Sequence, residues 1–268
     1  MSGGVSIVVP TYNRADMLRE SLINLNNRTQ YIPREIIVVD GGSEPGELPK
    51  YQQLKTENLC DKIVFRAHFP KNMPGTEKMK NLGNSYLAGL DVSEKSYPYI
   101  HFGADDLLYR TGWVEALVEM IDSDWAKKYN VKLISGFNHW CSPNDPVKML
   151  QFVPETYKSK DGNVEGYAAE WGGTCFLRKD EFIAMGAFTN NVSKTLRWDY
   201  QENFEVILHE RFLEKNWHWG ATVETYVQTM AIAQSSSLGN YKKDNNGNPV
   251  TDDHFCNGIA IGYAWKDM

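Results

Sequence analysis

Thr11-Tyr12-Asn13-Arg14, Asp40 and Asp105-Asp106 are the residues of this chain whose types and placement could do chemistry on a charged, ring-bearing ligand. A tyrosine offers a face on which a base can stack. A carboxylate can accept a proton from a pyrimidine ring or a ribose hydroxyl. A carboxylate pair can hold Mg²⁺ or Mn²⁺ against a diphosphate. Together the three clusters describe a nucleotide-diphosphate site, one that lacks the Gly-x-Gly-x-x-Gly and Walker loops other such sites use.

The elements around the clusters explain why these residues should meet. Val5 to Val9 is a β-branched run, and Leu18, Leu22 and Leu25 follow at helical spacing, so the reading is strand, loop, helix. Glu35 to Val39 repeats the strand signature and ends at Asp40-Gly41-Gly42-Ser43, and Lys62 to Arg66 is a weaker strand. Met79, Leu82, Tyr86, Leu87 and Leu90 form one helical face, and Tyr97 to Phe102 is a strand-like run that stops before Asp105-Asp106. Strands alternating with helices predict a mostly parallel central sheet flanked by helices. In such sheets ligands bind beyond the carboxyl ends of the strands, where all three clusters fall.

Beyond this point the rhythm changes. The spacing of Trp113, Leu117, Ile121 and Trp125 predicts one further helix with both tryptophans in the core, and Val131 to Phe137 a strand. Residues 138–168 read as loop, Gly172 to Leu177 as renewed regular structure, Phe204 to Phe212 as a helix face, and Trp217-His218-Trp219 as strand packing. The chain has 268 residues, enough for one large domain or two fused halves at about 150 residues per domain. With 42% hydrophobic and 23% charged residues it can build a sizeable core. Its net charge of −6 gives no global attraction to nucleic acid or anionic membrane. No apolar stretch is long enough to span a membrane, and the start lacks a secretory signal, so the expected location is the cytoplasm, with peripheral membrane attachment left open. Cys60, Cys141, Cys175 and Cys256 form no Cys-x-x-Cys pair and are expected to be reduced thiols. All eight tryptophans lie at position 113 or later, which suggests that the two halves do different jobs.

The ordered segments Val5-Ser-Ile-Val-Val-Pro-Thr-Tyr-Asn-Arg14, Glu35-Ile-Ile-Val-Val-Asp-Gly-Gly-Ser43, Lys80-Asn81-x-Gly83 and Tyr99-Ile-His-Phe-Gly-Ala-Asp-Asp106 resemble the successive motifs of GT-A-type glycosyltransferases, most closely family 2. The resemblance implies a single Rossmann-like α/β domain with a donor half, residues 1–112, and an acceptor half, residues 113–268. It implies a nucleotide-sugar donor, with UDP favoured, lying across these loops. Pro10, Thr11, Tyr12 and Asp40 would surround the base, and Asp105 and Asp106 would hold the ribose, the diphosphate and Mn²⁺ or Mg²⁺. Arg14 and Lys80 complete the donor set. Two positions depart from the family: Gly103 stands where Asp-x-Asp-Asp usually begins, and Met79-Lys80-Asn81 stands where Ala-Arg-Asn is usual, so a lysine supplies the charge as a point rather than a fork.

In the second half, Gly172 and Gly173 resemble the small-residue segment that approaches the donor sugar. Trp198-Asp199-Tyr200-Gln201-Glu202-Asn203-Phe204-Glu205 resembles the acidic motif that opens the next helix. That match makes Glu202 the candidate general base and Asp199 its reserve, taking the proton from an acceptor hydroxyl as it attacks the anomeric carbon, with inversion. Trp171 and Trp198 flank these motifs as candidate acceptor-stacking residues, and Asp253-His254 is the late candidate for a further metal ligand. The acceptor is a hydroxyl on a glycan, lipid, protein, small molecule or modified nucleic acid. Two other classes fit the same fold: a sugar-nucleotide nucleotidyltransferase and a non-catalytic nucleotide- or sugar-binding relative. The plain structural readings are that Asp40 ends its strand in a turn, that Asp105-Asp106 is a solvated loop, and that Glu202 complements a helix dipole.

Overall fold

The computed structural model describes residues 3–31, 33–136, 155–169, 174–186, 208, 211–224 and 226–229. In chain order the elements are β1 (Val5–Thr11), α1 (Ala15–Arg28), β2 (Arg34–Asp40), α2 (Leu48–Thr56), β3 (Lys62–Phe65), α3 (Gly75–Asp91), β4 (Tyr99–Phe102) and β5 (Leu107–Tyr109). Then come α4 (Trp113–Asp122), α5 (Asp124–Lys128), β6 (Val131–Ser135), β7 (Tyr157–Lys158), β8 (Glu165–Ala169), β9 (Cys175–Arg178), α6 (Lys179–Ala184), β10 (His218–Thr222) and β11 (Val227–Thr229). The described residues fall into two compact units. The first draws on the described residues within 1–19, 32–105 and 177–217, the second on those within 20–31, 106–176 and 218–268.

The first unit is built on β1. All seven of its residues are buried, which is why Ile7, Val8 and Val9 follow one another rather than alternating with polar residues. β2 and β4 pair with it in parallel on either side, and β3 extends the sheet beyond β2, giving the order β3-β2-β1-β4. The register sets Thr11 opposite Asp40, so β1 and β2 release their polar residues at the same level. Helix α3 lies against β1 and β2. Gly89 faces the sheet, where a Cβ would collide with the Val8 side chain. Phe102 of β4 sits 4.9 Å from the Tyr86 ring of α3 and 5.1 Å from the Phe182 ring of α6. Leu208 and Phe212 of the helix face predicted late in the chain are both buried, and Arg211 donates to the Met185 carbonyl at 2.8 Å.

In the second unit β6 and β10 are parallel, β10 and β8 antiparallel, and β8 and β7 antiparallel; β5 and β11 form a separate antiparallel ribbon. Helix α4 packs on β6, and its fully buried Trp113 donates Nε1–H to Thr29 Oγ1 at 2.9 Å. Trp219 is 2% exposed within β10, as its alternating context predicts.

The structure differs from the sequence reading in several places. The single helix expected through Trp125 is two: Ser123 adopts an extended backbone and its hydroxyl accepts from the Ala126 N–H, ending α4 and capping α5. Trp125 is half-buried rather than core, donating to the Glu155 carbonyl at 2.9 Å. Part of the stretch read as loop is the β7–β8 hairpin, whose turn holds Gly162 at φ 77. Its second strand, Glu-Gly-Tyr-Ala-Ala, has little strand propensity and is fixed by pairing with β10. Helix α2 also escapes the periodicity test, because only Tyr51 and Leu54 of its nine residues are buried. Cys60 and Cys175 are buried free thiols, and burial pushes the Cys60 thiol up to about 11, away from reactivity. Cys141 and Cys256 lie outside the described residues. No helix among the described residues is long and apolar enough to cross a membrane.

Gly89→Ala tests the α3–β1 approach. Alanine favours a helix by about 1 kcal/mol over glycine, yet here it should destabilise the protein by about 1–3 kcal/mol through overpacking. Urea unfolding reads the sign directly; a stabilised variant would refute the close contact.

Candidate functional site

Three connections of the first unit converge at the carboxyl ends of its parallel strands: the turn after β1, the turn after β2 and the segment after β4. The Thr11 hydroxyl donates to Asp105 Oδ2 at 2.9 Å, and Arg14 Nη1 lies 3.2 Å from Asp105 Oδ1. Both oxygens of the aspartate are thereby held, with its side chain 8% exposed. The segment that carries it is fixed two residues earlier, where the Gly103 N–H donates to the Val8 carbonyl at 2.9 Å and the Gly103 carbonyl accepts from Tyr86 OH at 2.8 Å. Asp106 follows in the chain and is half-buried.

Tyr51 of α2 joins the first two turns. Its fully buried hydroxyl accepts from the Arg14 N–H at 3.2 Å and meets Ser43 Oγ at 3.1 Å and Thr11 Oγ1 at 3.4 Å. Burial raises its pKa, so the phenol stays protonated and can share its single proton among these oxygens. The turns are also stitched directly: the Asn13 N–H donates to Ser43 Oγ at 2.8 Å, and Asn13 Oδ1 accepts from the Glu44 N–H at 2.8 Å. Asn13 does this from φ 57, a left-handed conformation that asparagine tolerates better than most residues. Gly42 at φ 93 has no such freedom of replacement, since a Cβ there would collide with the Ala67 carbonyl.

Asp40 is 0% exposed. Its Oδ1 accepts from the Ser43 N–H at 3.0 Å, while Oδ2 has no hydrogen-bond partner; the buried Asn13 Nδ2 is likewise unpartnered. One orphan acceptor and one orphan donor thus lie in two turns bound to each other, at a cost of about 1–3 kcal/mol for each buried group left unsatisfied. Arg66, just after β3, supplies a nearby cation. Its backbone N–H donates to the Asp40 carbonyl at 3.1 Å, and Nη1 donates to Asn81 O, Asn81 Oδ1 and Ser85 Oγ. Burial lowers its pKa while the Asp40 charge opposes the shift. Asn81 completes the frame by donating Nδ2–H to the Gly41 carbonyl at 2.7 Å.

The structure therefore brings together Thr11, Arg14, Asp40 and Asp105. Pro10 is buried in β1 opposite Val39, and Tyr12 is anchored by its hydroxyl to the Phe69 carbonyl at 2.7 Å, its ring 5.9 Å from that of Phe69 at 80°. Burial raises the Tyr12 pKa as well. Lys80 lies 3.1 Å from Glu77, one turn earlier on α3. Sequence reasoning missed Arg66 and Tyr51. Arg66 is adjacent to an ordinary strand end, and Tyr51 sits on a helix too narrowly apolar to be recognised. Trp171, Gly172, Gly173, Trp198, Asp199, Glu202, Asp253 and His254 lie outside the described residues.

Among the described residues no group of three or more His, Cys, Asp or Glu side chains gathers to hold a metal. Asp105 nevertheless suits a hard cation that arrives with its ligand, because Mg²⁺-type ions are commonly held by one or two carboxylates together with substrate phosphates.

Residues 6–180, more than half of the chain, match the family described as Glycosyl transferase family 2. The chain belongs to that family. The family 2 match spans Thr11, Asp40, Asp105 and Asp106, every cluster from which the site was read. Abequosyltransferase RfbV of Salmonella typhimurium (strain LT2) is 31% identical over 107 residues, which is 39% of this chain and 28% of that enzyme. Among solved structures, GalNAc-T7 with UDP, GalNAc and Mn²⁺ aligns with a TM-score of 0.54 at 14% identity, covering 82% of this chain and 42% of its own. S. aureus TarS 1-349 in complex with UDP aligns with a TM-score of 0.50 at 14% identity, covering 83% and 58%. These likenesses show the fold, the mixed α/β architecture of GT-A glycosyltransferases.

Tyr51→Phe removes the acceptor for the Arg14 N–H and the link between Ser43 and Thr11. The expected loss is about 1–3 kcal/mol of stability, read by denaturant unfolding; an unchanged midpoint would show that the turns do not depend on this hydroxyl.

Proposed function

We propose that this chain transfers a sugar from a nucleoside diphosphate sugar, a UDP-sugar, to an acceptor hydroxyl, with inversion. The observation that carries the reading is the unpartnered buried Asp40 Oδ2 beside the Thr11–Asp105–Arg14 cluster at the strand ends. A uracil ring offers the complementary groups, an N3–H for Asp40 and ring carbonyls for Asn13 Nδ2. Tyr12 and Pro10 border the base. Asp105 and Asp106 face the ribose and diphosphate, and Arg14 and Lys80 supply positive charge to the phosphates. The UDP present with GalNAc-T7 and TarS supports this choice of donor.

Asp105, with Asp106, would hold Mn²⁺ or Mg²⁺, the former being present with GalNAc-T7. When bound, such an ion neutralises charge on the departing diphosphate. Residues 1–112 act as the donor half and 113–268 as the acceptor half. In the latter, Gly172 and Gly173 permit close approach to the donor sugar. Glu202, with Asp199 in reserve, takes the acceptor proton, and Trp171 and Trp198 stack on the acceptor.

The test is turnover of UDP-sugars with Mn²⁺, with and without EDTA. Metal-dependent release of UDP supports the reading, whereas turnover indifferent to EDTA removes the metal from it, and nucleotide binding without turnover would identify a non-catalytic relative. Asp40→Asn replaces an acceptor by a donor at the base and should weaken UDP binding about tenfold or more, the equivalent of one lost buried hydrogen bond; calorimetry with unchanged affinity would remove Asp40 from the site. Glu202→Gln should keep UDP binding and lower transfer by roughly 10²-fold or more. Near-normal transfer would move the base elsewhere.

A further inference from the structure

The pairing at Asp105 has a consequence for how the site fills. Its Oδ2 accepts from the Thr11 hydroxyl, and its Oδ1 faces the Arg14 guanidinium at 3.2 Å. The arginine's backbone N–H is fixed by Tyr51 OH, while its side chain, which meets Asp105, is 30% exposed. A divalent cation and a guanidinium cannot share one carboxylate oxygen without repulsion. We infer that Arg14 is an internal cation that occupies the carboxylate of Asp105 until the donor diphosphate draws it away, so that metal binding and diphosphate binding are coupled through this one side chain.

This inference rests on the reading of Asp105 as the metal-holding carboxylate. A nucleoside diphosphate offers Arg14 a better partner than a single oxygen, because two phosphates present several oxygens to its planar fork. Once the guanidinium has moved to the phosphates, its charge no longer opposes a cation at Asp105 Oδ1. Metal alone must displace Arg14 with nothing to receive it. The site therefore favours the two ligands together over either alone, and it guards the carboxylate against adventitious cations in the resting protein. By linkage, the same coupling makes Mn²⁺ improve UDP binding by the factor by which UDP improves Mn²⁺ binding.

The experiment measures Mn²⁺ binding directly, by the electron paramagnetic resonance of the free ion, in the presence and absence of UDP. It compares the wild type with Arg14→Met, Arg14→Lys and Asp105→Asn. Arg14→Met should bind Mn²⁺ alone about fivefold or more tightly than the wild type, the lower end of ordinary coupling factors. Its mutual enhancement with UDP should shrink. Arg14→Lys keeps the charge and should stay close to the wild type, and a merely structural role for Arg14 gives no reason for tighter metal binding. Mn²⁺ affinity that is unchanged or weaker in Arg14→Met, while Asp105→Asn abolishes binding, overturns the inference and leaves the metal reading standing. Undiminished Mn²⁺ binding in Asp105→Asn overturns both.

Discussion

Asp105 places a carboxylate at the end of a parallel sheet with its side chain only 8% exposed. A charge so placed is costly to leave unpaired. Much of the surrounding arrangement follows from that requirement. Thr11 must stand at the last position of β1 with its hydroxyl turned to the aspartate, Arg14 must return from the following turn, and the segment after β4 must hold still. The backbone of Gly103, gripped by Val8 and Tyr86, supplies the last condition. Parallel register supplies the first, since pairing β1 with β2 from Val5 to Thr11 brings Thr11 and Asp40 out of the sheet together.

The second layer of the arrangement is polar and mostly backbone-directed. Ser43 accepts from Asn13, donates its own N–H to Asp40 and meets Tyr51, so a single small residue ties two turns and a helix. Arg66, just after β3, and Asn81 of α3 brace the same turn. Such a frame fixes the unpartnered groups of Asp40 and Asn13 before any ligand arrives. The cost of ordering them is met in folding rather than in binding, which is the usual advantage of a preorganised site.

Much of this was legible in the sequence because burial leaves a mark. β1 and β2 are covered on both faces and read as β-branched runs through Ile7-Val8-Val9 and Ile36-Ile37-Val38-Val39. Leu18, Leu22 and Leu25 are fully buried and keep helical spacing. The carboxyl-end rule then located Thr11, Asp40 and Asp105 from the order of elements alone. Elements with thin cores were lost. Helix α2 buries two side chains, β5 and β11 are three residues each, and β8 depends on its partner strand. Arg66 and Tyr51 could not be found by pattern, because their roles come from contacts across 15 to 40 residues of chain rather than from local spacing.

We place nucleoside diphosphate binding at the turns after β1 and β2, with Asp105. Amide hydrogen exchange with and without UDP and Mn²⁺ tests it most directly, since it reports on each turn without requiring an acceptor. The account predicts slowed exchange in the peptides that contain Thr11 to Arg14, Asp40 to Glu44 and Gly103 to Asp105. Protection confined to other segments, with these three unchanged at saturating ligand, would contradict it.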